Sequence, residues 1–536
     1  MQRRRNRVMK KKNVRYFTII FLSLLIYLLL LELMVLSERN APGAHIKTLG
    51  DAFWYSLVTL STVGYGDVTP VTTMGHVIGA IFLILSMGLL VALIGYVVSF
   101  IASEGFPMFA LRFCRNRNWY YFADFTSESD TLARDILRRE EGAIIIYGIR
   151  KDDEIEKPDY PCKFINVSPA RIVAQKKGTG EKCKLFFLKE NEIGTNLKAM
   201  DIHAVDADVY AFTTSGQEKM SGNIHFFHTY DCCARSYWRN HPLGSDEDNI
   251  VIIGFGNYGR AILERAILTN INDSDFDVSY HIFGDSERFR DIHKNLKLAF
   301  GINERREGFD SIYFHTEKWT ANHDVIGKAD RIIVCEDDVQ DAWDDMWELR
   351  RYYNYTGRID LRTNRTAPGV SYFGTNEEIF TVDEIIRARL NDAARTMNDL
   401  YRKSVEDSLD WDELNDQLKQ SKIAVADHLF NKIRILLRGK AVSGLDWEIC
   451  QAAYEAYCEA KNNPEELDKL RQIEHARWVR FYVYYNWTYG KKRNDVLHEN
   501  PMIQRYQDLT DSQKAYHDRA WELLGEISKQ LRYAPS

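Results

Sequence analysis

The sequence predicts a multidomain fold. It comprises an all-α membrane domain, two α/β domains with doubly wound parallel sheets, and an α-helical C-terminal domain. Three observations predict it. Two long apolar runs lie within the first 102 residues. Strand-like and helix-like segments alternate from about residue 105 to residue 373, the pattern of a parallel sheet flanked by helices. Beyond Asp383 the pattern turns helical. A chain of 536 residues has room for roughly three to four domains of about 100–200 residues each.

Residues 1–15 hold Arg3, Arg4, Arg5, Arg7, Lys10, Lys11, Lys12 and Arg15 and no acid. Tyr16 to Leu36 follows with one charge, Glu32. About 20 apolar residues span a bilayer as a helix. A signal peptide is the competing reading, but the run exceeds the usual signal core and no small-residue cleavage site follows it. The basic cluster predicts a cytosolic N-terminus. The second run, Met74 to Ile101, contains Gly75, Gly79, Gly88 and Gly95. Two spans return the chain to the cytosol. All eight cysteines lie at or beyond Cys114 with no Cys-x-x-Cys pair, as expected of reduced thiols.

Between the runs, the amphipathic segment Asp51 to Ser61 leads into Thr62-Val63-Gly64-Tyr65-Gly66-Asp67. Four such loops around one axis present rings of backbone carbonyls that replace the water shell of a potassium ion. The glycines allow the backbone to turn those carbonyls inward. Irregular backbone at membrane depth must be surrounded by protein or a water-filled cavity, so the loop demands an oligomer.

This stretch resembles the selectivity filter of tetrameric potassium channels with two-helix pore subunits. The resemblance implies a homotetramer in the lipid bilayer of a plasma (inner) membrane, multi-pass, with both termini cytosolic. Potassium would be held by Thr62, Val63, Gly64 and Tyr65, with Gly66 completing the filter. Trp54 and Asp67 would hydrogen-bond behind it, and Gly88 would be the hinge of the inner helix. Trp54 also reads as an interfacial belt aromatic. Gly88 also reads as a helix-packing glycine, and Gly95 is a competing hinge. No Arg-rich helix precedes the pore, so no voltage sensor is expected.

Farther on, Ile250 to Ile253 reads as a buried strand, followed by Gly254-x-Gly256-x-x-Gly259 and an amphipathic helix. In that context the glycines suit a dinucleotide, with its pyrophosphate on the helix N-terminus. Asp285, after the strand Ser279 to Phe283, is the candidate ribose ligand, though its spacing from Gly259 exceeds the usual value of about 20. It also reads as a turn residue after Gly284. Strands are expected at Ser311 to Phe314, Arg331 to Cys335, Ile359 to Arg362 and Val370 to Phe373. On a two-span pore this resembles the RCK (regulator of potassium conductance) domain. The resemblance implies a gating ring, with NAD or another adenine nucleotide as a possible ligand.

A fainter copy spans about 105–245. Strands are expected at Trp119 to Phe125, Ala143 to Tyr147, Lys163 to Val167, Cys183 to Leu188 and Val209 to Phe212. No glycine occurs between Trp119 and Leu132, so a Rossmann-like domain without cofactor is expected. A dehydrogenase would need an acid or base poised over the nicotinamide. No such constellation is recognisable, and no enzyme activity is expected. The acidic run Glu336, Asp337, Asp338, Asp341, Asp344, Asp345 and Glu348 reads as a solvated helix face, with Ca²⁺ binding as the alternative.

Residues from Glu465 onward resemble the RyR repeat module. The matching elements are Glu474-His475-x-x-Trp478, Asn486-Trp487-x-Tyr489-Gly490, His498, Tyr506, Leu509 and a helix opening at Thr510. The turn around Arg493-Asn494-Asp495 departs from the family pattern. Arg471, His475, Trp478, Trp487, Tyr489 and Lys491 are the candidate ligand residues. Aromatic planes beside cations suit a base and its phosphate, and the alternative is that these aromatics form a core. The expected ligand is a small nucleotide; no nucleic acid partner is expected.

The expected organisation is a basic N-terminus (1–15), a pore domain (16–102), a degenerate Rossmann-like RCK domain (103–245) and an RCK domain with the glycine motif (246–400). A helical connector (401–462) and an RyR-type domain (463–536) complete it. The function expected is a ligand-gated potassium channel. Two alternatives stand beside it: an effector channel triggered by a stress- or phage-derived nucleotide, and a membrane-anchored nucleotide enzyme with a vestigial pore.

Overall fold

The structure is a computed structural model. It describes residues 25–61, 63–102, 105–148, 158–176, 183–189, 207–212, 224–272, 277–366, 369–386, 391–403, 408–438 and 446–533. The basic N-terminus, the start of the first apolar run and Thr62 lie outside the described residues. The chain divides into two compact units, Met1–Phe113 and Cys114–Ser536.

In the first unit, helix α1 covers 25–38, α2 is Leu49–Leu60 and α3 is Thr73–Ala102. Leu31, Met34, Ile46, Ala52, Ile78 and Phe82 form its core. Most of the remaining large apolar side chains, such as Leu28, Leu29, Val77 and Ile84, are exposed on the single chain. Among the described residues no helix is long and apolar enough to cross a membrane. The side chains of residues 85–90 in the middle of α3 lie outside that description. Read as sequence, α3 runs 30 residues without an Asp, Glu, Lys or Arg, with His76 in its first turn. It is continuous through Gly88 and Gly95.

The second unit contains two all-parallel sheets. The first joins β1 (Trp119–Phe122), β2 (Ile144–Tyr147), β3 (Cys162–Phe164), β4 (Cys183–Phe187), β5 (Asp208–Phe212) and β6 (Ile224–Phe227) in the order β3-β2-β1-β4-β5-β6. This is the Rossmann strand order. The second contains β7 (Asn249–Ile253), β8 (Ser279–Phe283), β9 (Gly301–Ile302), β10 (Ser311–His315), β11 (Arg331–Val334), β12 (Arg358–Arg362) and β13 (Ser371–Phe373). Its order is β13-β12-β11-β7-β8-β10-β9, the same topology with a short extra edge strand. Strands buried on both faces read as unbroken apolar runs, which is why nearly all were anticipated. β6 and β9 were not, and β1 ends at Phe122 rather than Phe125.

The helix Thr229–Asn240 follows β6 and packs on the helix Asn257–Thr269 after β7. Buried ion pairs tie them to the helix Asp416–Asp427: Arg235 and Arg265 both meet Asp427, and Arg265 also meets Asp231. Beyond residue 391 the helices form a bundle. Met397, Val425, Leu429 and Ile433 share a core with Cys450, Ala453, Leu523 and Leu524, so the helices on both sides of residue 462 are packed together.

All eight cysteines are free thiols. Cys233 is buried, and burial pushes its thiol up to about 12. Cys232 is half-buried beside it.

Candidate pore loop and ligand sites

Thr48 caps α2 through a capping box with Asp51, which fixes where the helix begins. Beyond Ser61 the backbone alternates: Gly64 has φ 59° and Gly66 φ 74°. Left-handed glycines alternating with ordinary residues align successive carbonyls along one side of the strand. The indole of Trp54 donates from Nε1 to Asp67 Oδ2 at 3.0 Å. Its ring stacks on Tyr65, with centroids 6.4 Å apart and planes 6° from parallel. Trp54, Tyr65 and Asp67 are thus brought together by these two contacts. Val63 and Tyr65 stay exposed on the single chain.

One residue of this unit escaped sequence reading. Glu38 is fully buried and accepts from the backbone N–H of Val71 and Thr72, at 2.9 Å each, and from the Thr72 hydroxyl at 2.6 Å. It ties the end of α1 to the start of α3. Gly75 makes room for it, since a Cβ there would stand 2.0 Å from Glu38 Oε1. An acid at the end of an apolar run, with a distant Thr-x-x-Gly, is the only signal the sequence offers.

In the second sheet, Gly254 has φ 87° and Gly256 opens the helix Asn257–Thr269. Asp285 sits just past β8, where its carboxylate accepts from the Glu287 N–H at 3.1 Å. The anion position at the helix N-terminus is occupied from within. Asp337 accepts from the N–H of Asn257 at 3.1 Å and of Tyr258 at 3.2 Å. A Cβ on Gly256 would stand 2.4 Å from that carboxylate, and one on Gly254 2.6 Å from the Glu336 nitrogen. In this arrangement the loop does not fit a pyrophosphate.

The acidic run therefore differs from a solvated face at two further places. Trp319 Nε1 donates to Asp345 at 3.0 Å. Burial, reinforced by Asp345, Asp341 and Asp337, pushes Glu336 up to about 7. Arg362 steadies the loop: it donates to the Asp337 carbonyl at 2.9 Å, and its guanidinium lies 3.8 Å from the Tyr258 ring centre. A cleft of about 790 Å³ opens at the carboxyl ends of the two sheets, lined by Thr126, Lys189, Tyr258, Asp337, Arg362 and Arg365 among others.

In the first sheet, the place of the glycine loop is taken by Ala123 to Thr126. Phe125 packs edge-on against Tyr147 at 5.0 Å and meets Phe164 at 6.4 Å. An aromatic ring stands where a glycine loop would leave space.

The candidate ligand residues of the C-terminal module are mostly engaged with other side chains or buried. Arg471 pairs with Asp518 through two hydrogen bonds of 2.7 Å. His475, Trp478 and Trp487 are buried. His475 Nε2–H donates to the Gln504 carbonyl at 2.9 Å, so its Nδ1 accepts from His517 Nε2–H at 3.1 Å. Burial pushes His475 down to about 4 and, together with the neighbouring imidazole, His517 to about 3. Both imidazoles are neutral. Tyr489 and Lys491 remain exposed. Arg471, His475, Trp478 and Tyr482 share one face of the helix Pro464–Tyr484 by their spacing, and the last three of them are buried.

This module is fastened to the second sheet. Arg480 pairs with Asp310 at 2.8 Å, both buried. His293 donates to the Tyr484 carbonyl at 2.8 Å, and the Tyr484 hydroxyl donates to Glu264 at 2.9 Å. Glu264 lies on the helix that opens at the glycine loop.

Residues 14–103 match the family described as ion channel. Among curated proteins, the mouse potassium voltage-gated channel subfamily A member 5 is 28% identical over 130 residues, covering 23% of this chain and 19% of the relative. The human subfamily A member 4 is 38% identical over 66 residues, covering 11% of this chain and 10% of the relative. The chain thus spans a small fraction of the curated relatives it matches. Among solved structures, the GsuK channel aligns at 14% identity with a TM-score of 0.38, over 68% of this chain and 96% of that one. GsuK bound to NAD aligns at 12% identity and 0.35, over 69% and 82%. Residues 14–103 are thus similar to ion channels, and part of the chain is similar to potassium voltage-gated channels.

Proposed function

We propose that the chain is a ligand-gated potassium channel of a plasma membrane, assembled as a homotetramer with both termini cytosolic. Potassium passes a filter built from Thr62, Val63, Gly64, Tyr65 and Gly66. The observation that carries this reading is the loop itself: two left-handed glycines, braced by the Trp54–Asp67 hydrogen bond and the Trp54–Tyr65 stack, within the segment that matches ion channels. The apolar side chains left uncovered on the single chain fit neighbouring copies and lipid.

Gating is assigned to the α/β domains and the C-terminal bundle, with Gly88 as the bending point of α3. A nucleotide such as NAD reaches the glycine loop only by displacing Asp337, with Asp285 positioned for its ribose. It can bias the gate only if it binds the open and closed states with different affinity.

Reconstitution into liposomes tests the pore. Native mass measurement is expected to give four copies, with potassium flux and little sodium flux. Gly64→Ala is expected to abolish the flux, because a Cβ is strained at that φ. A dimer, or equal sodium permeation, would overturn the reading.

A further inference from the structure

Helical elements of the C-terminal bundle bring cations and tyrosines together, with an acid, Glu474, on only one of the three cations considered, Arg477. Lys422 Nζ lies 3.6 Å from the ring centre of Tyr401. Arg519 lies 5.8 Å from the same ring and 5.3 Å from that of Tyr516. Among the described residues, neither Lys422 nor Arg519 has a carboxylate partner. Arg477 spends two of its nitrogens on Glu474, but its Nη1 is buried without a hydrogen bond. The hydroxyls of Tyr482 and Tyr516 likewise make no hydrogen bond among the described residues. Tyr482 meets Trp478 at 4.2 Å and Trp487 at 5.1 Å, and Trp487 Nε1 is a further buried donor without a partner.

Gathering like charges is costly unless something negative joins them. The cost is visible at Lys422: burial, then the charges of Arg519 and Arg477, push its ammonium down to about 8. Aromatic faces next to unpaired cations complement a planar group that carries an anion. Other arginines of this unit show the contrast: Arg235, Arg265 and Arg480 are buried against carboxylates.

We propose that Lys422, Arg519 and the unused edge of Arg477 receive the phosphate of a nucleotide whose base lies among Tyr401, Tyr482 and Tyr516. This rests on the reading of the C-terminal bundle as a ligand sensor and gives that sensor a location. The site straddles the connector helices and the last helices of the chain; it includes none of the six residues that sequence reasoning singled out, but Tyr482 touches two of them, Trp478 and Trp487.

The test is binding of a fluorescent ADP analogue to the full-length protein in detergent, with unlabelled ADP, inorganic pyrophosphate and adenosine as competitors. ADP is expected to displace the analogue, pyrophosphate to displace it more weakly, and adenosine least. Lys422→Gln with Arg519→Gln is expected to weaken binding by at least about tenfold, the loss expected from removing charge-assisted contacts. Lys422→Arg should largely retain binding, and Arg305→Gln, an exposed side chain paired with Asp277 outside both proposed sites, should leave it unchanged. Melting temperatures establish that each variant is folded. The proposal is overturned if no analogue binds up to millimolar concentration, if the double variant binds like the parent, or if adenosine competes as well as ADP. Potassium flux measured on the same preparations separates the two readings: a conducting channel whose double variant binds normally sinks this site and leaves the pore intact.

Discussion

At the scale of single residues, Asp337 changes how the glycine motif is read. Gly254, Gly256 and Gly259 were legible because their spacing after a strand has a physical meaning. The carboxylate they accommodate was not, because it lies 80 positions away from Asn257 in a run that looks merely acidic. Glu336 beside it makes a prediction. Its folded-state value near 7 lies above its ordinary 4.5, so the folded protein holds the extra proton between those values. The stability it contributes is full below about pH 4.5 and lost as pH rises through about 7. Glu336→Gln should therefore flatten the fall in melting temperature between pH 5 and pH 8. An unchanged pH slope in that variant would show that the carboxyl is not the group responsible.

At the scale of elements, both sheets were legible and the seams between helices were not. Ile250 to Ile253 announces a strand buried on both faces, whereas β6, with its His225, follows a long stretch lacking periodicity. The turn of the Trp478 face toward the interior could not be read, since helical spacing defines a stripe and leaves open what covers it. Asp427 tests the most heavily charged seam. It holds Arg235 at 2.8 Å and Arg265 at 3.4 Å, both nearly inaccessible. Removing one partner of a buried pair leaves an uncompensated charge, so Asp427→Ala should destabilise the second unit by ~3–5 kcal/mol. The retained contact of Arg265 with Asp231 places the expected value at the lower end. Denaturant unfolding measures it, and a loss within experimental error would show that water already solvates these arginines.

At the scale of the whole molecule, the sequence divides more sharply than the structure. Composition and motif suggest a detachable last domain beginning near residue 463, yet Leu523, Leu524 and Ile527 complete a core begun by Met397, Val425 and Leu429. A chain truncated after residue 462 should therefore expose that apolar surface and aggregate, or become sensitive to proteolysis between residues 392 and 460. Size-exclusion chromatography with limited proteolysis would detect this. A monodisperse, protease-resistant truncate would show that the earlier helices stand alone.

The bond from the Tyr484 hydroxyl to Glu264 has a larger consequence. The rod that presents the glycine motif at one end is gripped along its flank by the last module of the chain. If that grip tightens when either place is occupied, the two occupants must help or hinder each other by one common factor, whichever arrives first. Titrating one in the presence of the other would then yield the same ratio in both directions, and the protein would act as a coincidence detector rather than as a pair of independent switches.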